Sequence, residues 1–455
     1  MTAALEPLTG GGRTVLTGSL GAPRLRDAGY SASEWTCSGS AVSYAAPDGL
    51  GGDGHWSLVE DGAAPFTTRV VVRRPVDPAE FSGTVVVEWL NVSSGSDAAP
   101  LYGFLALELL RRGHVWVGVS AQWAGIVAAP PLVGIEGRSG IELQGLQDSD
   151  PERYAHLDHP GDAYCYDIFT QCAAAVTDPA SPILGDLDVR RVLAVGESQS
   201  GYALTTYVNG VQPLTGAFDG FLIHSRGGPA MPLGEPGRGV DMEAGRGDPP
   251  VLVRTDLTVP VIVVETETDL LGYLRFLPAR QPDGDLFRLW EVAGAAHADR
   301  FIVGEFESML GCADPVNRGQ QRFVVRAALR QLDGWASAGE PPPGAAPITV
   351  EDGASGPSFV TDEVGNALGG VRTPCVDVPV EVLSGLAAPG SSRICQLFGG
   401  TTPAPSEVLH HLYSGVEDYL ARYGESVDTT IDAGFALAED RDELLADARP
   451  EVIDW

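Results

Sequence analysis

The sequence predicts an α/β fold, with a mostly parallel central sheet and helices on both of its faces. Apolar, β-branched runs alternate along the chain with segments of helical spacing, a pattern typical of this class. The runs are almost continuously apolar, as expected of strands that are covered on both sides. The chain has 455 residues, of which 44% are hydrophobic, so it can bury a large core.

The individual elements can be placed in order from residue 67 onward. The predicted strands are TTRVVVRRP, GTVVVEWLNV, HVWVGVSAQ, VRRVLAVG, GFLIHS, VPVIVVETETD and LFRLWEVAG. The predicted helices are YGFLALELLRRG, which ends at Gly113, DAYCYDIFTQCAAAV, with Asp162 as its N-cap, and YALTTYVNG. The residues before 67 are rich in Gly, Ser and Ala and predict turns and short strands.

The domain organisation follows from where this alternation is interrupted. We predict one core over residues 1–335, with Gly/Pro-rich insertions at about 123–161 and 226–258. Both insertions follow predicted strands, where substrate-binding loops are often placed. The Pro-rich stretch 334–347 predicts a linker, and residues 348–455 predict a C-terminal extension that packs on the core.

The charge balance excludes several functional classes. The chain has no lysine, so its 29 basic residues are all arginines, against 61 acidic residues and a net charge of -32. Without lysine it cannot be a P-loop NTPase, a protein kinase or a pyridoxal enzyme. Its negative charge repels nucleic acid and anionic membranes, and no apolar run approaches the ~18 residues of a membrane span. We therefore expect a small neutral or cationic substrate, with no nucleic-acid or membrane partner.

The six cysteines, the N-terminus and the cofactor motifs carry weaker signals. No cysteine pair forms CxxC or zinc-finger spacing, and a disulfide between Cys375 and Cys395 is the one pairing that we consider. HExxH and a GxGxxG after a strand are both absent, so neither a metal nor a cofactor is expected. No secretory signal is visible, which predicts a cytoplasmic location. The sequence leaves the oligomeric state open.

The strongest motif lies in VRRVLAVGESQSGYALTTY, where a predicted strand runs into a predicted helix. Between them stands Gly196-Glu197-Ser198-Gln199-Ser200, a variant of the G-x-S-x-G nucleophile elbow. Gly196 and Ser200 are small enough for that tight turn, and Ser198 lies at a helix N-terminus, where the helix dipole favours developing negative charge. We predict that Ser198 is the nucleophile of an acyl transfer.

A serine nucleophile requires a base and an acid that orients the base, and in this fold they follow in the order Ser, acid, His. Asp269, just beyond the strand VPVIVVETETD, is the predicted acid, and Glu267 remains an alternative. His297, in the loop after the next strand, is the predicted base. His224, at the end of GFLIHS, is the alternative base, although it precedes the acid.

The oxyanion hole requires two backbone N–H donors. One is predicted at Gln199, the residue after the nucleophile, and the other at Ser93, after the strand GTVVVEWLNV, with Val92 as the alternative. Arg226, just after GFLIHS, either faces the pocket as a local anion site or has a structural role.

Together these segments resemble the bacterial "alpha/beta hydrolase domain" family, a branch of the α/β-hydrolase superfamily of serine esterases. The resemblance is nearly full length and rests on FSGTVVVEWLNVSSGSDAAP, VGVSAQ, RYAHLDHPGDAYCYDIF, GESQSG, FLIHSRGG, VRTDLTVPVIVVETETD, WEVAGAAHAD and GGVRTPCVDVP. It implies a Ser-acid-His hydrolase with Ser198 and His297 at the matching positions. We therefore expect a serine carboxylic-ester hydrolase for a small ester or lactone. The alternatives are an acyltransferase with the same acyl-enzyme and an inactive binding protein on this fold.

Overall fold

A computed structural model describes residues 3–454 except 11, 13, 19–21, 128–131, 133–143, 186, 246 and 355. The strands of its central sheet are β1 (Ala4–Pro7), β2 (Tyr30–Ala45), β3 (Val59–Pro75), β4 (Thr84–Trp89), β5 (Val115–Val119), β6 (Arg191–Glu197), β7 (Gly220–His224), β8 (Val261–Thr266) and β9 (Phe287–Val292). Their spatial order is β1-β2-β3-β5-β4-β6-β7-β8-β9. Neighbouring strands in the row β5-β4-β6-β7-β8-β9 are parallel. Strands β3, β2 and β1 continue the sheet beyond β5, and each of them pairs antiparallel with its neighbours. The predicted α/β class with a mostly parallel sheet is confirmed.

The helices lie between and beyond these strands. The helices up to β9 are α1 (Pro100–Arg112), α2 (Trp123–Ile126), α3 (Leu146–Ser149), α4 (Pro151–Tyr154), α5 (Cys165–Thr177), α6 (Gln199–Thr206), α7 (Gln212–Thr215), α8 (Met242–Gly245) and α9 (Glu267–Leu271). After β9 come α10 (Arg300–Val303), α11 (Glu307–Leu310), α12 (Gln321–Ala338), α13 (Pro374–Asp377), α14 (Arg393–Phe398), α15 (Ser406–Leu412), α16 (Val416–Asp432) and α17 (Arg441–Ala446). Two small hairpins, β10 (Val350–Gly353) with β11 (Gly356–Phe359) and β12 (Glu381–Ser384) with β13 (Gly400–Pro403), complete the C-terminal part. None of the described helices is both long enough and apolar enough to cross a bilayer.

The two faces of the sheet bury separate hydrophobic cores. Successive residues of a strand point to opposite faces, and β4 shows the consequence. Val85 and Val87 join the core that includes Phe169 of α5, whereas Val86 joins the core that includes residues of α1 and α12. Every residue of β4 is buried, which explains its run of three valines, and the one buried carboxyl side chain, Glu88, accepts a hydrogen bond from Trp116 Nε1 at 2.8 Å.

The prediction of turns and short strands before residue 67 holds for the four-residue β1 and for residues 46–58, but it is wrong for β2 and the start of β3. Strands β2 and β3 are 16 and 17 residues long and form one extended antiparallel hairpin. The small residues of β2 allow α5 to pack closely against it: a Cβ at Gly39 would lie 2.8 Å from Gln171 Oε1 of that helix. The glycine at position 39 therefore reflects close packing of a strand under a helix.

Two local predictions also need correction. The linker predicted at 334–347 begins too early, because α12 continues to Ala338 and buries Trp335 in the core. Asp162 is not an N-cap: the helical turn there begins after Gly161, at which φ is 105°. The Asp162 carboxylate instead accepts hydrogen bonds from the backbone N–H groups of Trp123, at 2.7 Å, and Val240, at 2.8 Å. One side chain thus joins the two inserted segments.

The C-terminal residues attach to the core near the end of β9. Ile348 N–H donates to Glu291 Oε2 at 2.7 Å, and Val371 N–H donates to the Glu291 carbonyl at 2.7 Å. A disulfide joins Cys312 to Cys395. The predicted pairing of Cys375 with Cys395 is therefore wrong. Cys375 is a free thiol at the start of α13, where its backbone N–H donates to Gln320.

Candidate active site

The nucleophile elbow is the turn between β6 and α6. Ser198 has φ 59° and ψ -122°, a strained conformation for a residue with a side chain, and its N–H donates to the His224 carbonyl at 2.9 Å. A Cβ at Gly196 would lie 3.0 Å from the Ser200 Cβ, and one at Gly201 would lie 3.1 Å from the Arg226 Cβ. Larger side chains at these positions would approach their neighbours too closely, so the turn requires small residues, as the sequence predicted.

The structure brings Ser198, His297 and Asp269 together in one hydrogen-bonded row. His297 Nε2 lies 2.9 Å from Ser198 Oγ, and His297 Nδ1 lies 2.7 Å from Asp269 Oδ1. His297 and Asp269 are buried, whereas Ser198 is partly exposed. The serine is thus the member of the row that a substrate can reach.

Asp269 is held by the first turn of α9. Its Oδ2 accepts hydrogen bonds from Thr266 N–H and Thr266 Oγ1, both at 2.7 Å. Burial alone would raise the pKa of Asp269, but the charge and hydrogen bond of His297, together with the two Thr266 donors, lower it below its usual value. Asp269 is therefore an anion that can hold a proton on His297 Nδ1.

The electrostatics of His297 mirror those of Asp269. Burial alone would lower the pKa of His297, but the charge and hydrogen bond of Asp269, with a further contribution from Glu197, raise it above its usual value. The backbone N–H of His297 donates to Thr268 Oγ1 at 3.1 Å, which fixes the loop as well as the ring. The site can therefore stabilise an imidazolium formed during proton transfer.

The two alternative residues have other partners. Glu267 Oε1 accepts from Gly294 N–H at 2.6 Å and Oε2 accepts from Gly385 N–H at 2.8 Å, and burial raises the pKa of Glu267 to about 7. His224 Nε2 lies 3.2 Å from Gln321 Oε1, and its ring meets Phe104 edge-on. Neither side chain shares a hydrogen bond with His297 or Ser198 in the described part of the chain.

The backbone N–H groups predicted as oxyanion donors differ in the hydrogen bonds that they already make. Gln199 begins α6, and its backbone N–H donates to no other described residue. Ser93 N–H donates to Asn91 Oδ1 at 2.8 Å, whereas Val92 N–H donates to Gln199 Oε1 at the longer distance of 3.3 Å. The Ser93 donor is therefore occupied by a short local bond, and the Val92 donor is more weakly held.

Two residues that the sequence reading did not single out connect these loops. Asn91 Nδ2 donates to the Glu197 carbonyl at 3.0 Å, which ties the end of β4 to the elbow. Gln122 Oε1 accepts from Gln199 Nε2 and, at 2.9 Å, from Trp89 Nε1. Asn91 follows the carboxyl end of β4 and Gln122 follows the carboxyl end of β5. Polar residues just after parallel strands are the signal in the sequence that could have identified them.

A cavity of about 50 Å³ lies beside the serine. It is lined mainly by apolar side chains, and the residues are Ser93, Leu132, Ser198, Gln199, Tyr202, Met242, Glu243, Tyr273, Leu274 and Leu397. Arg226 is not among them: it is fully buried and donates to Thr205 Oγ1 at 3.1 Å and to the Val251 carbonyl at 2.8 Å. Arg226 therefore has the structural role, and burial lowers its pKa to about 10. No three His, Cys, Asp or Glu side chains among the described residues are grouped to hold a metal ion.

Comparison with known proteins identifies the family of the chain. An esterase from the fungus Rhizomucor miehei is 11% identical, with a TM-score of 0.34 over 67% of this chain and 85% of that one. An alpha-beta serine hydrolase homologue from Coxiella burnetii is 13% identical, with a TM-score of 0.29 over 58% of this chain and 92% of that one. No curated protein matches the chain. The family model of the alpha/beta hydrolase domain matches residues 4–446, so the chain belongs to the alpha/beta hydrolase domain family.

Proposed function

We propose that the protein is a serine carboxylic-ester hydrolase that acts through Ser198, His297 and Asp269. The observation that carries this proposal is the continuous pair of hydrogen bonds, 2.9 Å from Ser198 to His297 and 2.7 Å from His297 to Asp269. A serine on a strained elbow, joined to a buried imidazole that is itself oriented by a carboxylate, has the geometry of an activated nucleophile.

The proposed reaction has two halves. Ser198 Oγ attacks the ester carbonyl while His297 Nε2 takes its proton, and the imidazolium then protonates the leaving alcohol. A water that gives its proton to His297 then attacks the acyl-enzyme carbonyl. When the bond from this carbon to Ser198 Oγ breaks, His297 returns that proton to the serine oxygen, and the carboxylic acid is released. Asp269 holds the Nδ1 proton throughout and stabilises the imidazolium.

The oxyanion that forms in both halves needs two donors. Gln199 N–H is the first, because it lies at the start of α6 and donates to no other described residue. For the second we now favour Val92 over Ser93, since the N–H of Ser93 is held by Asn91 at 2.8 Å and that of Val92 by Gln199 at 3.3 Å. Substrate binding then replaces only a long hydrogen bond.

The pocket supports a small neutral or cationic substrate. Its lining is mainly apolar, its one carboxylate, Glu243, is paired with Arg393, and Arg226 is not among its lining residues. The net charge of -32 adds a field that attracts cations. We retain as a proposal the core predicted over residues 1–335, which α12 carries on to Ala338. The extension over 348–455 is proposed to pack on this core, because it contributes Leu397 to the pocket.

The predicted cytoplasmic location stays a prediction. The disulfide between Cys312 and Cys395 counts against it, because structural disulfides are rare in reducing compartments.

Covalent labelling with a fluorophosphonate probe tests the function. We expect the wild-type protein to be labelled, and Ser198→Ala to lose both labelling and ~10⁴–10⁶ of kcat for p-nitrophenyl esters. Ser200→Ala is the matched control, because that hydroxyl is buried and has no hydrogen-bond partner among the described residues. Labelling that persists in Ser198→Ala, or that is lost only in Ser200→Ala, would contradict the proposal.

A further inference from the structure

Part of the pocket wall comes from the C-terminal extension. Leu397, on α14, lines the same cavity as Ser198, although the two lie 199 positions apart in the sequence. Leu397 is 8% exposed and also packs in an apolar cluster with Val303, Leu310, Val316 and Phe398. Its side chain thus faces the pocket on one side and a supporting cluster on the other.

Helix α14 is attached directly to the loop that carries His297. Ala298 N–H, the next residue after His297, donates to the Leu397 carbonyl at 3.0 Å. Asn317 N–H donates to the Phe398 carbonyl at 2.9 Å. The Cys312–Cys395 disulfide adds a covalent connection two residues before Leu397. The position of Leu397 is therefore fixed relative to the proposed base.

The other end of α14 meets both inserted segments. Arg393 Nη1 donates to the Leu132 carbonyl at 2.8 Å and lies 3.2 Å from a carboxylate oxygen of Glu243. Leu132 and Glu243 both line the pocket. One short helix thus connects the first insertion, the second insertion and the histidine loop around a single cavity.

We propose that α14 is the specificity wall of the enzyme, and that Leu397 limits the length of the apolar chain that an ester can place beside Ser198. This inference rests on the proposed function and names its substrate class: esters in which one side is a short alkyl chain. The cavity of about 50 Å³ is well below the ~150 Å³ of a cavity that holds benzene, so it suits a chain of a few carbons. The disulfide keeps the wall in place.

The test compares kcat/KM for two graded series of substrates. The first is p-nitrophenyl acetate, butyrate and octanoate, in which the acyl chain grows; the second is ethyl, butyl and octyl acetate, in which the alcohol grows. We expect the wild-type protein to reject the eight-carbon member of one series, octanoate or octyl acetate. That series identifies which side of the ester occupies the pocket. In that series, Leu397→Ala should raise the ratio of kcat/KM for the eight-carbon substrate to kcat/KM for the four-carbon substrate by about tenfold or more. Leu397→Phe should lower this ratio.

Leu310→Ala is the matched control for loss of packing, because Leu310 belongs to the same cluster but does not line the pocket. It should leave the ratio of kcat/KM for the eight-carbon and four-carbon substrates within about twofold of wild type. A specificity wall requires instead that Leu397→Ala changes this ratio about tenfold in the p-nitrophenyl series or in the acetate series. The double variant Cys312→Ser, Cys395→Ser should shift the ratio in the same direction as Leu397→Ala, because the wall is released.

Unchanged ratios in both series for Leu397→Ala and Leu397→Phe, in proteins that the fluorophosphonate probe still labels, would overturn the wall. An equal shift in Leu310→Ala would also overturn it, since packing alone would then explain the effect. Absence of probe labelling in the wild-type protein would instead refute the proposed function, so the two failures are distinguishable.

Discussion

Replacement of Asp269 by asparagine gives the most specific test of the proposed triad. Asp269 Oδ2 accepts two hydrogen bonds from Thr266, at 2.7 Å each, and Oδ1 lies 2.7 Å from His297 Nδ1. In Asp269→Asn the amide oxygen will face Thr266, because both Thr266 groups are donors. The amide NH₂ must then face His297 Nδ1.

The imidazole responds by changing its tautomer. With Nδ1 accepting from the amide, the ring proton moves to Nε2, which faces Ser198 Oγ at 2.9 Å. That nitrogen can no longer accept the serine proton. Triad acids in other hydrolases lose ~10⁴ in kcat on this change, equivalent to about 5 kcal/mol of transition-state stabilisation. We expect a loss of that size, with the fold intact.

The assay is steady-state hydrolysis of p-nitrophenyl butyrate, with thermal unfolding as the check on folding. Glu267→Gln is the matched control: it removes one acceptor from Gly294 N–H or Gly385 N–H, which should cost about 1–3 kcal/mol of stability but far less kcat. A larger kcat loss in Glu267→Gln than in Asp269→Asn would refute the assignment of the acid, and a loss below tenfold in Asp269→Asn would refute the tautomer argument.

Three further predictions follow from described contacts. The kcat/KM should rise with pH as His297 loses its proton, with a midpoint above the usual 6.5, because Asp269 raises the pKa of His297; a pH profile with a lower midpoint would contradict this. Esters that carry a distal ammonium should be preferred over matched carboxylates, and added salt should reduce the gap, as kcat/KM at two ionic strengths would show. Arg69→Met should lower the free energy of unfolding in urea by about 3–5 kcal/mol, because it leaves the carboxylates of Asp97 and Glu34 buried without this partner; a change below 1 kcal/mol would contradict it.

The elements that could be predicted from the sequence are those with local requirements. The elbow needs small residues around Ser198 and an apolar strand before it, and both are visible in a short stretch of sequence. His297 could be predicted as the candidate base because chain order and the small residues before it limit the choice to one histidine. The sheet class followed from mainly apolar strands such as β4, since burial on both faces favours apolar residues on both.

The errors concern partners that are distant in the sequence. The composition of β2 suggested turns, because the helix that packs on Gly39 begins at residue 165. Cys395 pairs with Cys312 rather than with the nearer Cys375, a choice that tertiary packing decides. The choice between Val92 and Ser93 stays a proposal: it depends on which side chain each N–H contacts, and a backbone donor leaves no signature in the sequence.

The position of Asp162 has a consequence for protein engineering. One carboxylate accepts from the first residue of one inserted segment, Trp123, and from Val240 within the other, although those two residues lie 117 positions apart. The insertions are therefore a single exchangeable unit. A chimera that receives only one of them from a relative leaves one oxygen of the Asp162 carboxylate without its backbone N–H donor. Transfer of both segments together with Asp162 preserves both hydrogen bonds. Recombination libraries for this fold should place their crossovers accordingly.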